Sequence, residues 1–171
     1  MNISRALIIG ALSLSILFAG CAKGFKAIED AANAQCNSSY QYDLDRSACY
    51  AGVQNFLTPS KLAELERMIS SKDFNGTSYY VIRFQDLYDY TKHSAEVCDN
   101  SFKDNIAGLA ACQKGVEVTA DLFTEKRSTN DNSHYTVTLY DKDGARLIAL
   151  DKRYVKNLRS GLAEQTRPRE K

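Results

Sequence analysis

The stretch His134–Leu150, HYTVTLYDKDGARLIAL, decides the fold class. Apolar and polar residues alternate from His134 to Tyr140, with Tyr135, Val137 and Leu139 on one face and Thr136 and Thr138 on the other. Successive side chains of a strand point to opposite faces, so this alternation marks a half-buried strand. Asp141-Lys142-Asp143-Gly144 supplies turn residues, and Arg146–Leu150 returns, which predicts a β-hairpin. The Asp-x-Asp-Gly run lacks the third acidic position and terminal Glu of a calcium loop, and turn chemistry accounts for it.

Upstream, Thr77–Phe84 (TSYYVIRF) is a further strand, apolar on both faces and therefore central or buried on both sides. Thr58-Pro59 opens the clearest helix, with a capping residue, Pro at the first helical position and a stripe of Leu62, Leu65, Met68 and Ile69. Asn75-Gly76 closes that segment as a turn. Phe25–Gln35 reads as a short helix that Asn37-Ser38-Ser39 breaks, and Asp45 is the expected cap of a second helix through Ala48, Val53, Phe56 and Leu57. Residues 86–97 fit either a strand or a helix with Leu87, Tyr90, Ser94 and Val97 inward. Ser101 to Asp104 resembles a helix start followed by a stripe of Phe102, Ile106, Leu109 and Ala110. Residues 116–123 fit helix or strand, and 126–133 reads as a polar loop. No internal repeat is apparent. The expected fold is α+β: a small antiparallel sheet including the C-terminal β-hairpin, packed with several short helices and stabilised by disulfides.

The chain has 171 residues, 44% hydrophobic and 25% charged, with nine Gly and two Pro. That composition is globular and excludes collagen, low-complexity disorder and a polytopic membrane protein. A formal charge of +1 gives no footprint of a nucleic-acid binder. The first residues carry one positive charge, at Arg5. Ala6–Ala19 (ALIIGALSLSILFA) is then uncharged, and Gly20-Cys21 leads into the polar AKGFKAIED. A basic head, a short apolar run and small residues before a cut make a secretory signal. The run falls short of the ~20 apolar residues of a spanning helix.

Phe18-Ala19-Gly20-Cys21 resembles the lipobox of bacterial lipoproteins, with Phe18 where that motif usually carries Leu. The resemblance covers the first twenty-one residues and implies cleavage before Cys21, lipidation of its thiol and a mature chain anchored to a membrane. Residues 1–20 are then signal peptide, 21–157 a periplasmic α+β domain and 158–171 a basic, disordered tail. Ala22, where Asp would mark inner-membrane retention, implies the outer membrane if the host is Gram-negative.

Setting Cys21 aside leaves Cys36, Cys49, Cys98 and Cys112, an even number in an exported chain, as disulfides require. Three connectivities are open, of which the pairs near in sequence, Cys36–Cys49 and Cys98–Cys112, are favoured. No close Cys pair suits zinc, and neither a metal nor a cofactor is expected. His93 and His134 lie in no catalytic context, and no nucleophile or phosphate-loop motif occurs. Asp86, Asp89, Glu96 and Asp99 could include a carboxylate pair for glycan hydrolysis. Ten tyrosines and no tryptophan single out Tyr79, Tyr88 and Tyr90 as a candidate interaction surface. From Lys152 onward seven basic residues face two Glu, against a net charge of −5 for residues 21–151. The functional expectation is a non-enzymatic, outer-membrane-anchored interaction module with an envelope protein as partner. The alternative is a small envelope enzyme acting on peptidoglycan or glycan, and an apolar-ligand carrier is a third possibility.

Overall fold

A computed structural model describes residues 23–167. The signal segment, Cys21 and Pro168–Lys171 lie outside the described residues. Three helices open the domain: α1 (Lys23–Ser39), α2 (Asp43–Phe56) and α3 (Pro59–Met68). A hairpin of β1 (Ser70–Phe74) and β2 (Thr77–Arg83) leads to the long helices α4 (Phe84–Ser101) and α5 (Ile106–Phe123). The chain ends in β3 (Lys126–Ser128), β4 (His134–Thr136), β5 (Thr138–Tyr140), β6 (Arg146–Leu150) and α6 (Lys152–Thr166). Four strands form an antiparallel sheet in the order β1-β2-β6-β5, and β3-β4 is a separate ribbon. The α+β class expected from the hairpin is the one observed. Among the described residues no helix is long and apolar enough to cross a membrane.

The helical layer is built from two αα-hairpins, α1-α2 and α4-α5. Cys36–Cys49 closes the first and Cys98–Cys112 the second, each with a Cα separation of 5.8 Å. These are the pairs favoured by their nearness in sequence. The hairpins meet where α2 crosses α5. A Cβ added to Gly52 would stand 1.9 Å from the Cys112 carbonyl oxygen, and one added to Gly115 would stand 1.9 Å from that of Cys49. The contact is reciprocal because two identical patterns meet in it: Cys49-Tyr50-Ala51-Gly52-Val53 and Cys112-Gln113-Lys114-Gly115-Val116. Val53 and Val116 are both fully buried beside the crossing. This C-x-x-G-V recurrence is confined to the crossing. Asn55 ties the two hairpins further, its Nδ2 lying 3.6 Å from Cys98 Sγ and 3.8 Å from Cys112 Sγ.

Several ambiguous segments are resolved by this layer. Residues 86–97 and 116–123 are both helical, each in a helix pinned by the Cys98–Cys112 disulfide: Cys98 follows the first segment on α4 and Cys112 precedes the second on α5. On α4, Leu87, Tyr90 and Ser94 are buried as expected, but Cys98 takes the next inward place and Val97 is exposed. Of the stripe expected at the start of α5, Phe102 and Leu109 pack against the core, whereas Ile106 and Ala110 do not. Ile106 is 87% exposed and Ala110 is exposed. Gly108, Ala111, Cys112, Gly115, Val116 and Thr119 face inward instead, because the crossing demands small residues there. The helix starts at Ile106, with Asn105 Oδ1 accepting from Gly108 N at 3.0 Å, whereas Ser101 ends α4. Asp45 is not a cap, since α2 starts at Asp43.

Both hairpin turns follow their sequence chemistry. Asn75 and Gly76 have φ of 53° and 78°, the two positive values of a type I′ turn. Their turn belongs to a hairpin whose first strand, β1, was not anticipated; SSKDF has little strand propensity. In the β5-β6 turn Gly144 has φ 79°, and Asp141 Oδ1 accepts from Asp143 N at 2.9 Å and Ala145 N at 2.8 Å. The strand expected over His134–Tyr140 is divided at Val137. Its first part pairs with β3 and its second with β6, while Val137 N donates to Glu125 O at 2.9 Å and Val137 O accepts from Ala149 N at 3.0 Å.

Strand β2 is central, and Val81 and Ile82 are buried on its opposite faces. Ile82, Ile148 and Leu150 belong to the main core with the helices, whereas Val81, Val137, Leu147 and Ala149 are buried on the opposite face. Flat neighbouring strands lie about 4.8 Å apart, so the outer strands of a flat four-stranded sheet would be far beyond an ion pair's reach. Yet Lys72 on β1 reaches Asp141, just after β5, at 3.8 Å. The sheet is therefore strongly curled around this second apolar cluster.

The expected disordered tail from residue 158 is also corrected. Residues 158–166 are the last turns of α6, in which Val155, Leu158 and Gly161 are buried. Their spacing places them on one stripe, which packs on α1: Gly161 lies against the Phe25 ring and Gly24 against the Asn157 carbonyl. Arg159 is not a solvated charge; its Nε donates to Glu66 Oε1 at 3.1 Å and its guanidinium lies over the Tyr80 ring at 4.9 Å.

Two stability tests follow from the crossing. Gly52→Ala or Gly115→Ala forces backbone apart and should cost at least about 2 kcal/mol in equilibrium urea unfolding. Replacing Cys36 and Cys49 together by Ala should cost about 3 kcal/mol, the value for closing a loop of this length.

Candidate functional site

The three tyrosines expected to form one surface do not come together. Tyr90 is only 6% exposed; its hydroxyl donates to Phe56 O at 2.9 Å and its ring meets Phe56 edge-on at 4.8 Å. Burial pushes its phenol far above the usual tyrosine range, so it stays neutral. Tyr90 is thus a core residue, as its place on the Leu87-Tyr90-Ser94 stripe implies, and leaves the predicted surface. Tyr79 is half-buried on the face of the sheet away from the main core, where its hydroxyl accepts from Arg127 Nη2 at 2.8 Å. Tyr88 is 54% exposed on α4.

Around Tyr88 the structure builds a groove of about 260 Å³. One wall is α4, through Phe84, Leu87, Tyr88 and Thr91. The other combines the end of α5, at Ala120, Asp121 and Thr124, with Thr136, Arg146 and Ile148 from the strands. Its rim is a row of three stacked groups. The Arg146 guanidinium lies 4.3 Å from the Phe84 ring centre, and Phe84 stacks on Tyr88 with centroids 6.3 Å apart. Phe84 owes its position to the direct passage of β2 into α4. Arg83, the residue before the helix, clamps Asp86 through Nε at 2.7 Å and Nη2 at 2.9 Å, and that carboxylate complements the helix N-terminus. Phe84 and Arg146 carry no signal in the sequence, because they meet only after distant elements are assembled.

The carboxylates expected as a possible pair are partly brought together. Asp86 and Asp89 line a cleft of about 350 Å³ with Lys61, Glu64, Met68, Tyr90 and His93. Asp86 is held by Arg83, and Asp89 Oδ1 accepts from Gln85 Nε2 at 2.9 Å. Glu96 and Asp99 do not line this cleft. Asp99 accepts from Gln113 Nε2 at 3.2 Å. Lys61 Nζ lies 3.4 Å from both His93 O and Ser94 Oγ, and burial pulls its ammonium below the usual lysine range, with Glu64 and Glu96 opposing. This resembles a nucleophile beside a base, but Ser94 is fully buried and its hydroxyl donates to Tyr90 O at 3.0 Å. A substrate cannot reach it. His93 Nδ1 contacts Asp89 O at 2.7 Å, and His134 Nε2 lies 3.0 Å from Ser128 Oγ on the exposed ribbon, so the two histidines serve no common centre.

Among the described residues no group of three or more His, Cys, Asp or Glu could hold a metal ion. The Asp141 carboxylate, weighed above against a calcium loop, is turned inward on its own turn. The Ala145 amide, more than that of Asp143, holds it below the usual aspartate range against an opposing effect of burial.

No protein-family model matches the chain, and comparison with curated proteins and with solved structures finds no significant similarity.

Tyr90→Phe should cost about 1 kcal/mol of stability, the net worth of one buried hydrogen bond, whereas Tyr88→Ala should stay within about 0.5 kcal/mol. Equilibrium urea unfolding of the two variants separates the core tyrosine from the surface one. Asp141, with its depressed pKa, contributes stability that is complete above the unfolded value of about 3.9 and lost as pH falls through the folded one. Asp141→Asn should therefore flatten the acid limb of the stability–pH curve, read from urea midpoints below about pH 5.

Proposed function

We propose that this chain is an outer-membrane-anchored bacterial lipoprotein, acylated at Cys21, whose periplasmic domain is a non-enzymatic interaction module of the cell envelope. Its partner is an envelope protein, and the binding face is the groove edged by Arg146, Phe84 and Tyr88. The observation that carries the binding role is that row. Aromatic rings and a guanidinium are held in contact with each other, with Phe84 and Tyr88 left exposed, beside an apolar groove. Large rigid rings and Arg are the side chains on which protein interfaces concentrate their energy, since they bury much area for little lost entropy. Confinement to a membrane raises the effective concentration of such a domain for partners on the same surface.

The glycan-hydrolase alternative draws less support. Hydrolysis wants two carboxyl groups facing a common space with one of them free to carry a proton. In the cleft of Lys61, Asp86 and His93 one candidate is clamped by Arg83, and the adjacent hydroxyl of Ser94 is inaccessible.

The test is site-specific photocrosslinking in living cells from position 88, with position 42 on the α1-α2 connection as the control. One dominant adduct from position 88, abolished by Phe84→Ala and Arg146→Ala, is expected. Equal adducts from both positions, or none from position 88, would sink the groove as the binding face. For the anchor, Cys21→Ser should release the protein from the membrane fraction; retention with unchanged processing would refute acylation at Cys21.

A further inference from the structure

Two charged residues line the groove beside Tyr88, and the fold treats them differently. Asp121, on the α5 wall, pairs with Lys126 at 2.7 Å. No carboxylate of the described residues pairs with Arg146, whose guanidinium lies over the Phe84 ring at 4.3 Å. A cation over a ring uses its charge and leaves its N–H donors to other acceptors. The neighbouring acids are engaged or turned elsewhere. Asp86 stands two residues from both Phe84 and Tyr88, on the far side of α4, and is clamped by Arg83. Asp89 lines the cleft on that side. Asp141 is held on its own turn by the Asp143 and Ala145 amides, and Asp143, exposed in that turn, does not line the groove. Around Arg146 the surface is aromatic. Phe84 and Tyr88 are exposed, and so is Tyr140, the cross-strand partner of Arg146 on the same face of the sheet. A partner that covers these rings therefore also covers the guanidinium. Burying it unpaired is costly, whereas a carboxylate set against it is held more strongly as water is excluded.

From this we propose that the groove takes a peptide segment in which an Asp or Glu, paired with Arg146, stands next to an apolar side chain seated among Leu87, Ala120 and Ile148. The inference rests on the reading of the groove as the face that binds an envelope protein. A volume of about 260 Å³ suits side chains of a docked segment better than a whole small molecule, whose sites run from about 300 to 1,000 Å³. The planar guanidinium can hold a carboxylate by two parallel hydrogen bonds, and its contact with Phe84 fixes where that carboxylate must stand. The rings supply buried area and the ion pair supplies register, so a segment with a basic residue at that point is rejected.

The test extends photocrosslinking from position 88 of the full chain in living cells, with the crosslinked partner segment read by mass spectrometry of the adduct. The segment is expected to contain an Asp or Glu beside an apolar residue. Arg146→Glu should lower the adduct at least about tenfold, because it sets two like charges together in a covered site. Arg146→Lys, which keeps the charge without the planar fork, should retain part of it. Replacing the partner's acidic residue by Arg should restore the adduct to the Arg146→Glu protein, and that restoration also shows the variant to be folded. A segment without Asp or Glu, an adduct undiminished in Arg146→Glu, or a loss that reversal on the partner does not restore overturns the pair. An adduct on lipid or glycan overturns it as well. Failure of the pair and failure of the groove are separate outcomes. An adduct lost with Phe84→Ala but kept with Arg146→Glu leaves the groove standing and removes only the acidic segment. No adduct from position 88, or one equal to that from position 42, removes the groove and the inference built on it.

Discussion

The reciprocal contact between Gly52 and the Cys112 carbonyl, and between Gly115 and the Cys49 carbonyl, is the constraint on which the helical layer depends. Two helices can approach this closely only where neither carries a Cβ at the crossing, and here the two glycines are placed by the same five-residue pattern. Each disulfide half-cystine on α2 or α5 lies one turn from the glycine of its own helix. The disulfides therefore hold α1 and α4 against the same crossing that the glycines bring together. A change at this point separates the hairpins and also moves the disulfides.

From the crossing the core extends by aromatic contact. Phe56, near the end of α2, touches Tyr90 on α4 at 4.8 Å and Phe123 at the end of α5 at 5.9 Å, and Phe123 touches Tyr154 on α6 at 6.1 Å. Where α5 ends, the backbone is stitched directly to the sheet: Glu125 N donates to Ala149 O and Asp151 N to Phe123 O, both at 2.8 Å. The groove beside Phe84 lies at this seam, where the end of a helix, the start of another and two strands converge without filling the space between them. Rigid elements surround it on each side, so its ring and guanidinium row is held in place by the fold.

Several polar groups beside the cleft serve the fold. Tyr90 and Ser94 donate to backbone carbonyls, and the acceptor of Tyr90 is the carbonyl of Phe56 at the end of α2. The carboxylate of Asp86 serves the N-terminus of α4. Phe84 and Tyr88 stay open to solvent at the groove. The basic residues at the end of the domain divide as well: Arg159 is drawn into the fold by Glu66 and Tyr80, while Arg167, just past α6, remains exposed.

Elements whose signals are local could be read from the chain alone. The hairpin at residues 134–150, the helix after Thr58-Pro59, the turn at Asn75-Gly76 and the pairing of near cysteines were legible because capping, turn geometry and short loops act within a few residues. The division of the strand at Val137 was not, since its two halves bond to different partners, Glu125 and Ala149. The helical ending of the chain was obscured by its charges, although Val155, Leu158 and Gly161 mark the stripe. The inward face of α5 could not be read from hydrophobicity, because a close crossing selects Gly and Ala over Ile106. The Leu87-Tyr90-Ser94 stripe already turned Tyr90 inward, whereas Tyr88 at the groove and Phe84 under Arg146 took their places from the tertiary fold. Those two environments are made by residues far apart in the chain, which no local pattern encodes.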